Sequence, residues 1–122
     1  MGICDRIRPL VLLLSGLLGA AGVALAAAAT HIGGALLGPA SAMCLAHAPA
    51  MLALYAGHKH IKTATGAGMV MGIGTLLFAS DLVAKQYIGS GFFPMAAPSG
   101  GMLMILGWLL AGASAFLRPQ QG

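Results

Sequence analysis

The sequence predicts an all-α membrane protein, a four-transmembrane-helix bundle with N and C termini cytoplasmic. Three observations predict it. The chain is 59% hydrophobic and only 7% charged, against about 25% charged in soluble domains. Four continuous apolar segments, about 9–29, 40–57, 64–84 and 100–117, each approach the roughly 20 residues that carry a helix across 30 Å of hydrocarbon. The basic residues fall on alternate sides of these segments. Continuous runs mean helices, because backbone in lipid must satisfy its own hydrogen bonds; barrel strands alternate over about ten residues and look different. The 122 residues make one integral membrane domain, 1–122.

The first segment, PLVLLLSGLLGAAGVALAAAA, opens on Pro9, whose missing N–H costs nothing in a first turn. HIGGALLGP, with its glycines and proline, breaks the chain before the second, ASAMCLAHAPAMLALYAG, which can start as early as Ile32. The polar turn GHKHIKT leads to the third, ATGAGMVMGIGTLLFASDLVA. KQYIGSGFFPMAAPS holds three turn-prone clusters. Ser99 is the N-cap expected for the fourth, GGMLMILGWLLAGASAFL.

Arg6 and Arg8 precede the first helix, Lys59 and Lys62 fill the second connection, and Arg118 follows the fourth helix. Lys85 alone lies on the opposite side. An excess of Lys and Arg marks cytoplasmic loops, so both ends are expected inside a bacterial inner membrane. The same N-terminus has the form of a signal peptide, with Ala26-Ala27-Ala28 as a cleavage site. Its apolar run exceeds the 7–15 residues of such signals, which favours an uncleaved helix.

Small residues recur at the spacing that lets helix backbones meet in lipid. Ala64, Gly68 and Gly72 form one stripe; Ser15 with Gly19, Gly16 with Ala20, and Gly107 with Ala111 and Ala115 form others. Gly68, Gly72 and Gly107 are the expected packing positions, with the third helix near the centre. Trp108, mid-helix, is expected to fill space inside the bundle against these small residues.

The run from Gly74 to Trp108 resembles the YgdD-like small inner-membrane proteins, a bacterial four-helix family of unknown function. Gly74, Phe78 and Leu82 match its third-helix pattern, and Pro98, Gly100, Gly101, Gly107 and Trp108 match its third loop and fourth helix. Thr30-His31 and His47-Ala48-Pro49-Ala50-Met51 correspond more loosely to its first and second helices. Asp81, Pro49 and the short first loop depart from it. The resemblance implies an integral membrane protein and no activity.

Asp81 is one of two acidic residues in the chain, at the edge of an apolar run. With both termini inside, His31, His47, Asp81, Lys85 and Ser99 are expected to gather in the outer half of the bundle, His47 about 10 Å deep at 1.5 Å per residue. The first reading is structural: Asp81 and Lys85 at i, i+4 form an ion pair, Lys85 reaches the headgroups, and the histidines hydrogen-bond between helices. A second reading is a proton or cation pathway, since ionisable groups inside membranes often mark transport sites. No acidic or His residue lies in the inner half to continue such a relay, and the first span has no carboxylate between Pro9 and Ala29. A metal held by His31, His47 and Asp81 is chemically legitimate, but the spacing gives it no support.

His58-Lys59-His60 reads as a basic turn facing headgroups. Six basic residues are too few and scattered for a nucleic-acid groove. Cys4 and Cys44, the two cysteines, are expected as free thiols. None of the serines sits in G-x-S-x-G, and the glycine-rich pieces lie in apolar spans rather than after strands. No enzyme and no cofactor is read from the chain. Phe92-Phe93-Pro94-Met95 reads as an apolar patch lying on the membrane interface or docking a partner. The expected role is a non-enzymatic membrane component whose partners are the lipid bilayer and a second copy or a larger membrane complex; small-transporter or proton-handling chemistry is the alternative.

Overall fold

The computed structural model describes residues 2–117 and shows a helical bundle in which four helices are long and apolar enough to cross a membrane. They are α1 (Ile3–His31), α2 (Leu37–Ala56), α3 (Ala64–Tyr87) and α4 (Ala96–Ala113), the last continued by a 3-10 turn (Ser114–Phe116). Among the described residues there is no strand.

The helices outrun the apolar segments at several ends. α1 begins six residues before Pro9, so Pro9 lies inside it rather than in its first turn. Charge ends a hydropathy signal but not a helix: Arg8 pairs with Asp5 one turn back, and the polar first turns continue the spiral. At 1.5 Å per residue the 29 residues of α1 span about 43 Å, well over a roughly 30 Å hydrocarbon layer. α2 starts at Leu37, with Pro39 in its first turn and Pro49 in its interior. Gly33 and Gly34, at φ 85° and 99°, close the end of α1 in a backbone region that glycine enters without strain. α4 starts at Ala96, ahead of the expected Ser99 cap. The Ala96 N–H already donates to the Phe93 carbonyl, and Ser99 N–H to Met95. Ser99 is therefore inside the helix, and Pro98 takes the first-turn position where a missing N–H is free.

Neighbouring helices in the chain pack as antiparallel pairs, α1 on α2, α2 on α3 and α3 on α4, and α1 also touches α3. α3 is the most enclosed helix, while α1 and α4 present most of their surface outward. The core runs through Val11, Leu18, Cys44, Met51, Ala67 and Met71.

Glycine sets the closest approaches. Gly74 and Gly100 bring the α3 and α4 backbones together: a Cβ on Gly100 would stand 2.6 Å from the Gly74 carbonyl oxygen. Gly68 meets Val11 of α1, Gly72 meets Met51 and Leu14, and Gly107 meets Met71 and the Ala67 carbonyl. Gly16, by contrast, faces open space, and Ala20 is exposed. That stripe on α1 makes no contact within the chain.

Outward surfaces are apolar along their length. Leu13, Leu17 and Val23 of α1 and Met102, Ile105 and Leu109 of α4 are all more than half exposed. Such a band is what hydrocarbon solvates and water does not.

Candidate functional site

Three side-chain hydroxyls within the spans are spent locally. Ser15 donates to the Leu12 carbonyl, Thr30 to Ala26 and Thr75 to Met71, each closing on its own helix. Ser41 crosses instead, donating to the Gly22 carbonyl of α1 at 2.7 Å. At the other end, Thr63 donates to the Leu110 carbonyl at 2.6 Å, and the Lys62 N–H to the Ser114 hydroxyl at 2.8 Å. These two bonds tie the start of α3 to the end of α4.

His47 is buried, ten residues into α2 and about 15 Å from its start at 1.5 Å per residue. It is deeper than expected because α2 begins earlier than its apolar run suggested. Its Nδ1 lies 2.8 Å from the Met43 carbonyl oxygen, and its Nε2 lies 3.0 Å from the indole nitrogen of Trp108. A carbonyl only accepts and an indole N–H only donates. The partners therefore assign the neutral ring with its proton on Nδ1, and both nitrogens are used. The rings meet edge to face, 5.8 Å between centroids.

Trp108 is half exposed at the bundle surface, which corrects the expectation that it fills interior space. The small residues of α4 are occupied elsewhere: Gly107 lies under Met71. The indole, one position on, turns toward α2, where His47 accepts its N–H.

Asp81 is fully buried near the other end of α3. Its Oδ1 accepts the Phe92 N–H at 2.9 Å, and its Oδ2 pairs with the Lys85 ammonium at 2.9 Å. The Ala97 N–H in the first turn of α4 faces the same carboxylate. α4 has no side-chain cap, so Ser99 does not serve as expected. Gly91 leaves the room: a Cβ there would collide with Asp81 Oδ1. Asp81 thus fastens the loop that joins α3 to α4.

The five polar residues do not form one group. Asp81 and Lys85 pair, His47 bonds with Trp108 deeper in the bundle, His31 is exposed at the end of α1, and Ser99 is half-buried in α4. Among the described residues, no three His, Cys, Asp or Glu groups come close enough to hold a metal ion. Cys4 is exposed and Cys44 buried, both free thiols. Arg118 lies outside the described residues.

The Trp108–His47 bond, the two ties at Thr63 and Ser114, and the Gly74–Gly100 contact were not anticipated as contacts. Their partners lie on different helices, and no spacing in the chain announces them.

Comparison of the chain with models of known protein families, with curated proteins and with solved structures gives no match.

Proposed function

We propose that the protein is a non-enzymatic, multi-pass component of a bacterial inner membrane that acts through its packing surfaces, as an accessory subunit or as a small oligomer. Its termini lie in the cytoplasm, with Arg6, Arg8, Lys59 and Lys62 on that side. The observation that carries this reading is that the two buried ionisable side chains, His47 and Asp81, are each held by partners within the chain and lie apart from one another. His47 has partners on both nitrogens, and the Asp81 carboxylate is held by Phe92 N–H and Lys85. Groups held by fixed partners stabilise a bundle; a relay needs a site that can change partners. Deep in the bundle, a second proton on His47 would set one N–H against the N–H of Trp108.

The test is reconstitution of the pure protein in liposomes loaded with a pH-sensitive dye, under an imposed proton, sodium or potassium gradient. The expected result is dissipation no faster than in empty liposomes, for the wild type and for His47→Ala alike. Flux above that background, abolished by His47→Ala or Asp81→Asn in a folded bundle, would instead establish the transport reading.

A further inference from the structure

The loop between α3 and α4 is apolar where loops are ordinarily polar. From Gln86 to Leu117 no residue is Asp, Glu, Lys, Arg or His. Ile88, Phe92 and Met95 are each more than half exposed, as is Tyr87 at the end of α3, and Phe93 is nearly half exposed. An exposed apolar patch of this kind marks a surface that meets lipid or protein.

Three observations favour lipid. The first is level. α3 has 24 residues, about 36 Å at 1.5 Å per residue, against a hydrocarbon layer of roughly 30 Å. Near its end the Lys85 ammonium stays about one-third exposed, and an ammonium holds its position at the headgroups. The loop that follows therefore stands at the boundary between headgroups and acyl chains. The second is continuity. Ile88 and Phe92 line the same surface groove as Leu76 and Val83, which lie deeper along α3, and Ala24 of α1. These two loop side chains thus lie on the flank of the bundle, in line with side chains of the spans. The third is the backbone. Unpartnered backbone groups do not enter hydrocarbon. Here the Phe92 N–H donates inward to Asp81 Oδ1, and Gly91 packs on the same carboxylate, while the Phe92 side chain stays exposed.

We propose that Ile88 and Phe92, with Phe93 and Met95, form an interfacial anchor whose partner is the bilayer itself. Their side chains sit in the headgroup–acyl boundary of the leaflet at this end of the bundle. Asp81 is the positioning residue: it holds the backbone that presents them. Gly89 and Ser90 keep the water side. The anchor rests on the reading of four membrane spans, and it fixes the depth at which the α3–α4 pair rides.

The experiment uses the full chain carrying Trp108→Phe, so that one introduced tryptophan reports. Phe92→Trp is reconstituted in vesicles of phosphatidylcholine brominated either close to the glycerol or close to the methyl end of the acyl chain, with iodide as the aqueous quencher. The expected result is quenching several-fold stronger by bromine near the glycerol than by bromine near the methyl end, and iodide quenching several-fold weaker than for free tryptophan. Ile88→Trp, a second exposed position, gives the same order and stands in should Phe92→Trp fail to fold. Ile105→Trp, in the middle of α4, gives the reverse order of the two lipids. Asp81→Leu added to Phe92→Trp lowers the lipid quenching and raises that by iodide. Strong iodide quenching of both loop reporters, with Ile105→Trp still quenched by lipid, would overturn the anchor while the spans stand, and would leave the patch to a protein partner. Loop reporters quenched most by bromine near the methyl end would also overturn it. Quenching of Ile105→Trp by iodide and by neither lipid would remove the spans and the anchor together. Unchanged quenching in Asp81→Leu would overturn the part given to Asp81.

Discussion

The indole nitrogen of Trp108 lies 3.0 Å from Nε2 of His47, joining α4 to α2 across 61 residues of sequence. α4 otherwise rests mainly on α3, so this bond is a side brace for the most exposed half of the bundle. Trp108→Phe keeps most of the ring and removes the donor. Its expected cost is about 0.6 kcal/mol, the average for a side-chain hydrogen bond between membrane helices, read as a lowered midpoint in detergent-to-denaturant titration. Trp108 is the single tryptophan, so intrinsic fluorescence reports on the same contact. His47→Leu shifts its emission to shorter wavelength, because the indole loses its polar partner.

Asp81 is expected to be a structural fastener, and its substitutions should rank accordingly. Asp81→Asn keeps an oxygen for the Phe92 N–H and loses the charge opposite Lys85. Asp81→Leu loses both and leaves the loop between α3 and α4 without its anchor. Limited proteolysis of the protein in nanodiscs should cut near Gly89–Gly91 slowly in wild type, faster in the Asn variant and fastest in the Leu variant. Equal cutting in all three would show that the carboxylate holds nothing.

Gly100 and Gly101 are adjacent glycines with opposite surroundings. A Cβ on Gly100 meets the Gly74 carbonyl and the Phe78 backbone, whereas one on Gly101 meets nothing within 4 Å. Backbone cannot rotate aside, so Gly100→Ala forces α3 and α4 apart, with an expected loss of about 1–3 kcal/mol, typical of overpacking. Gly101→Ala should be neutral or slightly stabilising, since alanine is the better helix former. Thermal unfolding of the two variants in the same detergent reads the difference directly.

Four helices were legible because hydrocarbon demands long continuous apolar runs, and the chain has four. Their ends were less legible, for the reason visible in α1: Asp5, Arg6 and Arg8 leave the apolar layer without leaving the helix. The packing role expected at Gly68, Gly72 and Gly107 came from spacing, and each stands at a close approach. Spacing also marked Gly16 and Ala20, which face outward, because a stripe of small residues does not say whether a neighbour is present. The polar residues were visible one by one and their grouping was not. Depth along a helix depends on where that helix starts, and a few residues of extension at Leu37 and Tyr87 moved His47 and Asp81 to different levels. The i, i+4 pair of Asp81 and Lys85 was readable because it is local; Phe92 and Trp108 as partners were not.

The start of α1 and the loop between α3 and α4 are expected on opposite faces of the membrane. Cys4 is exposed at the first, and Ser90 is exposed in the second. In a Cys44→Ala background, a membrane-impermeant maleimide added to intact spheroplasts should label Ser90→Cys at once and Cys4 only after permeabilisation. Labelling of both positions from the same side before permeabilisation would contradict a chain that crosses the bilayer four times with its N-terminus in the cytoplasm.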